Sequence, residues 1–330
     1  MNVLVTGAGG FLGSQIVTQL LAEGHHVRGF SRGHYPDLET RGVELHQGDI
    51  RDAEAVMKAC TGMDAIIHTA ALPGVWGSWK TYYGVNTVGT QHVIEAAVLQ
   101  QVPQLIYTSS PSVTFSGEDQ QGISEDVEYP KKWLCHYPHS KALAEQAVLA
   151  ANGRSGLATC ALRPHLIWGQ DDPHLIPRLI QRGRQRKLRI IGDAENLVDI
   201  VHVDNAAQAH LCALTALRDN PDSHGKAFWV TQQSPVNCWQ WINEILEFAG
   251  VPPVTRSIAP SVAYATGATF ELVYGILRIS KEPPMTRFVA RQLSTHHYFD
   301  NDRAQNLLGY HPQLPTRTAM ENLRDGLQRP

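Results

Sequence analysis

Two hydrophobic rhythms alternate through the first half of the chain. Short runs such as NVLVTG, HVRGFSR, GVELHQGDI, DAIIHTAA, QLIYTSS and LATCALRP are dense in β-branched and apolar residues. Between them lie longer stretches with apolar positions near three- and four-residue spacing: GFLGSQIVTQLLAEG, RDAEAVMKACTG, NTVGTQHVIEAAVLQQ and KALAEQAVLAANG. The first kind predicts buried strands, the second amphipathic helices. Their alternation predicts an α/β fold, a doubly wound parallel sheet of the Rossmann kind.

After Pro164 the rhythm loosens, and Gly and Pro become frequent. NLVDIVHVDNAAQAHLCAL then returns to strand followed by helix. The expected organisation is therefore interleaved. Residues 1–166 and 197–230 form the nucleotide-binding domain, and residues 167–196 and 231–330 a smaller, C-terminal substrate-binding lobe. The basic run from Arg178 to Arg189 reads as the solvated face of a surface helix, because the surrounding chain is not basic. In Ser261–Ile279, the apolar positions Ala265, Ala268, Leu272, Val273, Ile276 and Leu277 fall near helical spacing, interrupted by Glu271 and two glycines. That pattern predicts an amphipathic helix covering a pocket rather than a membrane span, with at most peripheral contact with a membrane surface.

Composition narrows the function classes. Of the 330 residues, 43% are hydrophobic and 18% charged, which suits a packed globular protein. A formal net charge of -3 gives no support to a nucleic-acid partner. Cys60, Cys135, Cys160, Cys212 and Cys238 are scattered and lack C-x-x-C spacing, so neither a disulfide framework nor a zinc site is expected. With no basic-then-apolar leader in MNVLVTG, a reducing cytoplasm is the expected location. His136, His139, His296 and His297 lack metal-ligand spacing with carboxylates or thiols, and no metal is expected.

The candidate chemistry sits at the strand ends. VLVTGAGGFLG places Gly7, Gly10 and Gly13 between the first strand and the first helix. A pyrophosphate can approach such a backbone closely, and the helix N-terminus adds N–H donors. The second strand ends in Ser31 and Arg32, with no acid to hold a ribose 2′-hydroxyl. A guanidinium suits a 2′-phosphate and a carboxylate would repel it, so NADP(H) is expected in preference to NAD(H). After the third strand, Asp49 is placed to accept from the adenine amino group, Ile50 to pack on the ring, and Asp52 to cap the next helix. YPHSK then puts the Tyr137 phenol and the Lys141 ammonium one helical turn apart. A neighbouring ammonium and an oxidised nicotinamide would lower the phenol pKa and fit Tyr137 for proton transfer to or from a substrate oxygen, while Lys141 binds the ribose. LIYTSSPSV ends a buried strand in hydroxyls, and Ser110 is the candidate for holding that oxygen, ahead of Ser109 and Thr108.

With these residues in place, the sequence resembles the extended short-chain dehydrogenase/reductase superfamily over nearly its whole length. TGAGGFLG, GDIRD, HTAA, NTVGT, YTSSPSV, YPHSK, LRPHLIWG and VDIVHVDNAAQAH carry the resemblance. YPHSKALAEQAVLAANG and ALRPHLIWG are similar to the 3β-hydroxysteroid dehydrogenase-like branch. GVWGSWKTYYGVNTVGTQ and EPPMTRF resemble, within it, bacterial reductases of 2-alkyl-3-ketoalkanoic acids in long-chain olefin biosynthesis. The resemblance implies Ser110, Tyr137 and Lys141 as the catalytic set. It implies further cofactor contacts at Phe11, Leu12, Ala70, Pro164 and Leu166, and a homodimer. The implied activity is NADP(H)-dependent reduction of a β-keto acid. Alternatives are oxidation of a 3β-hydroxysteroid or a sterol-4α-carboxylate, an NAD-dependent sugar-nucleotide epimerase, and a non-catalytic dinucleotide sensor. An acid is missing at Arg32 and the Arg-Asp-Phe start is missing at LVDIVHVDN, which speaks against the epimerase. Trp76, Trp79 and Trp168 are candidates for lining an apolar pocket for a small hydrophobic substrate bearing a carbonyl or hydroxyl. Arg287 is placed either to meet a carboxylate or to form a structural salt bridge.

Overall fold

Seven parallel strands carry the molecule, in the order Lys226–Val230, Ala158–Pro164, Gln104–Thr108, Ala65–His68, Asn2–Thr6, His26–Ser31, Glu44–Gln47. The structure is a computed structural model and describes residues 1–328. The strands read as continuous apolar runs because helices cover both faces of the sheet. Every residue of Gln104–Thr108 and of Ala158–Pro164 is buried. Alternation along one strand then divides two cores. Val3 and Val5 point to one face, where Ile16 and Leu20 of helix Phe11–Ala22 meet Leu214 of helix Val203–Asp219. Leu4 points to the other, with Val93 of helix Gly89–Leu99 and Val148 of helix His136–Ala150.

The first strand lies inside the sheet and pairs on both edges, with His26–Ser31 on one and Ala65–His68 on the other. Strand order therefore reverses beside it, and the crevice at the carboxyl ends opens there. Asp52 accepts from the Glu54 and Ala55 amides at 3.0 and 3.1 Å and starts the helix Ala53–Cys60, as its position in GDIRD predicts. The short helix Pro36–Thr40 and the wide-turn helix Tyr83–Val88 carry no clear period in the sequence.

A third core gathers residues distant in sequence: Trp168, Ile176, Ile180, Val198, Trp239, Ile245 and Leu323. Its four-stranded sheet, in the order Val236–Asn237, Leu197–Val198, His297–Phe299, Gln120–Ile123, draws one strand from before the tyrosine helix. Conversely, Ala304, Leu308 and Tyr310 return to pack in the first core. The basic run starts in a helix, Leu175–Arg184, whose Ile176 and Ile180 are buried while Arg178 reaches Glu282.

The helix expected near residues 261–279 is present as Pro260–Ile276, and its Glu271 lines a cavity, while its apolar end stands outside that lining. Only Ala263 and Gly267 are buried on it, and Leu272, Val273, Ile276 and Leu277 stand exposed. Spacing reports a stripe, not what lies opposite it. No helix of the described residues is long and apolar enough to cross a membrane.

Candidate active site

One groove of about 760 Å³ runs along the carboxyl ends of the strands. Gly7, Gly10, Phe11, Leu12, Gly13, Ser31, Arg32, Asp49, Ile50 and Ala70 line one stretch, and Ser110, Tyr137, Lys141, Pro164 and Leu166 the other.

The glycine stretch is built from backbone. Gly7 turns the chain at φ 73° and donates to Phe30 O at 2.7 Å, and Gly10 N donates to Gly7 O at 2.9 Å. A Cβ on Gly13 would lie 2.1 Å from Gly7 O, and one on Gly7 2.8 Å from Thr69 Oγ1. The turn is therefore closed to side chains, and the helix Phe11–Ala22 that follows has no acid in its first turn. Its free N–H groups and positive dipole end face the groove, a cradle that fits a diphosphate.

At the end of the second strand, Ser31 Oγ accepts weakly from Gly9 N at 3.4 Å, and Arg32 is exposed. Tyr35, which sequence reasoning missed, also lines the groove, and its ring lies so close that a Cβ on Gly9 would sit 2.1 Å from it. The only prior signal was an aromatic in the SRGHYP turn. Asp49 accepts from Arg51 at 2.9 and 2.6 Å, and the guanidinium holds its carboxyl down at about 2. A carboxylate offers more than two acceptor sites, so this pairing leaves capacity for an amino group.

The other stretch is built from buried charge. Tyr137 and Lys141 lie on helix His136–Ala150, with Pro138 in its first turn, where a missing N–H costs nothing. Asn86 and Thr87 of the wide-turn helix hold that turn: Asn86 Nδ2 donates to Ser140 Oγ at 3.0 Å and Thr87 Oγ1 to Ser140 O at 2.9 Å. Lys141 is 2% exposed. Its Nζ donates to Thr108 O at 2.6 Å and lies 4.2 Å from the centre of the Tyr107 ring. Burial brings its pKa down to about 7, opposed by the Glu145 carboxylate one turn along. Ser110 caps the turn Pro111–Thr114, and its Oγ lies 2.8 Å from Ser112 Oγ.

Burial pushes the Tyr137 phenol up to about 12, with the Ser110 hydroxyl pulling the other way. Burial is the largest influence on the phenol and outweighs the lowering expected from its neighbours. The phenol is therefore protonated at neutral pH and can donate a proton.

Behind Lys141 lies an ionic cluster that sequence reasoning did not find. Arg163 forks onto Glu145, with Nη2 to Oε1 at 2.6 Å and Nε to Oε2 at 3.0 Å. Their side chains are 2% and 0% exposed. Tyr129 donates to Glu145 at 2.6 Å, and Arg163 stacks over Trp229. Burial opposes the Glu145 charge, but Arg163 and the hydrogen bonds outweigh it and keep the carboxyl below its usual range. The signal was present as a lone arginine in the apolar run LATCALRP and an acid four residues after Lys141.

The tryptophans separate. Trp168 is fully buried against Trp241 and His202 and lines no groove, because the third core packs around it. Trp79 stacks on His139 at 4.6 Å. Trp76 alone of the three lines a second cavity of about 660 Å³, beside Cys135, His136 and Arg287. Arg287 Nε donates to Glu271 at 2.6 Å, the structural salt bridge rather than a free carboxylate receptor. His297 and His165 meet at 2.6 Å in a buried pair.

Residues 4–259 match the family described as the 3-beta hydroxysteroid dehydrogenase/isomerase family. The 2-alkyl-3-oxoalkanoate reductase of Shewanella oneidensis is 45% identical, covering 99% of this chain and 86% of that one. The enzyme of the same name from Stenotrophomonas maltophilia is 42% identical over 98% of both. Among solved structures, MoeE5 in complex with UDP-glucose and NAD superposes with a TM-score of 0.72 at 26% identity, covering 100% of this chain and 99% of that one. With a family model matched over most of its length and relatives more than 40% identical, the chain belongs to the 3-beta hydroxysteroid dehydrogenase/isomerase family and is an oxidoreductase of the extended short-chain dehydrogenase/reductase type.

Proposed function

We propose that the protein is an NADP(H)-dependent reductase of the β-keto group of 2-alkyl-3-ketoalkanoic acids, giving the 3-hydroxy acids of olefin biosynthesis. The observation that carries this reading is the protonated, buried Tyr137 phenol beside Ser110 in the same groove as the glycine cradle. The shared name of the bacterial relatives supports the substrate class.

A nicotinamide dinucleotide fits the groove. Gly7, Gly10 and Gly13 would take its diphosphate, Ile50 and Ala70 its adenosine side, and Lys141, Pro164 and Leu166 its nicotinamide side. Ser31 and Arg32 would meet a 2′-phosphate, while the nearby Asp49 carboxylate is paired with Arg51. When bound, the dinucleotide supplies hydride to the carbonyl carbon.

Ser110 Oγ donates to the substrate oxygen and fixes its position. Tyr137 Oη gives its proton to that oxygen as the carbonyl becomes an alcohol. A phenol near 12 is a weak acid, so the step depends on negative charge developing on the oxygen it faces. Lys141, fixed by Thr108 O, stabilises the phenolate that remains. Run in reverse, the same groups serve a 3β-hydroxyl of a sterol.

The test follows absorbance of the reduced cofactor with a long-chain 2-alkyl-3-ketoacid, beside a 3β-hydroxysteroid with the oxidised cofactor. Turnover of the ketoacid is expected, faster with NADPH than NADH, with the preference lost in Arg32→Ala. Tyr137→Phe should lower kcat by about 10²–10⁴-fold, the usual worth of a positioned proton donor. Oxidation of the steroid with no ketoacid turnover would move the substrate to the sterol branch.

A further inference from the structure

We propose that Tyr35, given the NADP(H) reading above on which this rests, completes a 2′-phosphate site and sets the choice between the two dinucleotides. Its phenol hydroxyl donates to the phosphate on the adenosine ribose, beside Ser31 and Arg32. Two glycines make room for that phenol. Gly9 lies in the turn before helix Phe11–Ala22, and Gly33 just past strand His26–Ser31. Neither takes a positive φ, so the backbone requires glycine at neither position. What excludes a side chain is the ring. A Cβ on Gly9 would lie 2.1, 2.2 and 2.4 Å from Cζ, Cε2 and Cε1 of Tyr35. One on Gly33 would lie 3.0 Å from its Oη and 3.1 Å from its Cε2 and Cζ. The phenol end is thus wedged between the glycine turn and the end of the second strand, where Ser31, Arg32 and Gly33 also line the groove.

The donor is held in place and unspent. Tyr35 heads the short helix Pro36–Thr40, its carbonyl accepts from Leu38 N at 3.0 Å, and its ring packs against the first core. Arg32 is engaged through its backbone carbonyl, which accepts from Gln47 Nε2 at 2.8 Å. Among the described residues, no hydrogen bond reaches Tyr35 Oη and no carboxylate pairs with the Arg32 guanidinium. Asp37 and Glu39 of the short helix do not line the groove, and Asp49, which does, is already forked by Arg51.

A phosphate monoester presents several charged acceptor oxygens, and a guanidinium alone does not use them all. A hydroxyl from Ser31 and one from Tyr35 supply the rest. Hydrogen bonds to a charged acceptor are about twice as strong as those between neutral groups. The ribose of NAD(H) offers a neutral hydroxyl at the same position and gains less from each donor. Tyr35 therefore acts on the difference between the two dinucleotides rather than on the affinity for both.

The experiment is fluorescence titration of the full chain with NADPH and with NADH. Competition by adenosine 5′-monophosphate, carrying or lacking a 2′-phosphate, isolates this end of the groove from the nicotinamide end. Tyr35→Phe keeps the ring and removes the hydroxyl. It should weaken NADPH and the 2′-phosphorylated nucleotide about tenfold, the worth of one hydrogen bond to a charged group, and leave NADH and the plain nucleotide where they were. Tyr35→Leu, which also removes the ring, should lose the preference at least as far; should it fold poorly by thermal melting, Tyr35→Phe alone carries the test. A wild type that prefers NADPH, with that preference intact in Tyr35→Phe, would overturn this inference and leave the cofactor reading standing. Equal weakening of both dinucleotides in Tyr35→Phe would overturn it too, by reducing Tyr35 to a support for the turn. A wild type that binds both dinucleotides equally would overturn the NADP(H) reading and this inference with it.

Discussion

The two ends of the groove are built on opposite principles. At the glycine end nothing but backbone is allowed: Gly13 Cα packs where a Cβ would meet Gly7 O at 2.1 Å, and Gly7 needs a positive φ. At the lysine end the backbone is ordinary helix, and everything depends on side-chain charge. Lys141, Glu145 and Arg163 alternate in sign behind the groove floor. The first end discriminates by shape and the second by electrostatics. They should fail differently under mutation: loss of shape costs ligand approach, and loss of charge costs folding and the proton balance of the site.

Glu145→Gln is the strongest way to break the lysine end. It leaves the Arg163 guanidinium in a buried site without its carboxylate partner. Removing one partner of a buried ion pair costs about 3–5 kcal/mol, and denaturant midpoints should show a loss of that order. A stability change under about 1 kcal/mol would mean that the cluster is not the electrostatic core of this end.

Gly13→Ala attacks the glycine end. Its Cβ must displace the Gly7 carbonyl, an overpacking that costs about 1–3 kcal/mol. Here the distinctive reading is ligand affinity: dinucleotide binding by fluorescence titration should weaken at least as much as folding does. Weakened folding with unaltered binding would show that the turn does not cradle the ligand.

A further effect is a pH dependence confined to the lysine end. Burial depresses the folded-state pKa of Lys141 to about 7, below its unfolded value of about 10.4. Between those values the unfolded state binds the extra proton, so this group makes stability rise with pH across the window and level off below about 7. In Glu145→Gln the opposing carboxylate is gone, and the lower edge of the window should move further down in pH. Urea midpoints measured across that range would show it; an unmoved edge would uncouple Glu145 from Lys141. Gly13→Ala should leave the edge in place.

The same contrast explains what could be read in advance. Gly7, Gly10, Gly13, Tyr137 and Lys141 were legible because each pair is local, set by a turn or one helical period. So was Asp52 as a cap. The Glu145–Arg163 pair was not, although both residues were in plain view, because it joins a helix to a strand and nothing local calls for it. Trp168 and Trp76 looked equivalent in the sequence and ended on different sides of a core.

What the sequence alone determined is the alternation of strand and helix, the parallel sheet, and the placing of glycines, Ser110, Tyr137 and Lys141 at strand and helix ends. Periodicity and backbone sterics are local, and they act before anything folds. Only the tertiary structure decided which charges pair in the dark behind Lys141, that the Tyr137 phenol is held protonated, and that the apolar end of Pro260–Ile276 faces outward. Burial and charge pairing depend on which distant segments close over a residue, and no spacing along the chain records that.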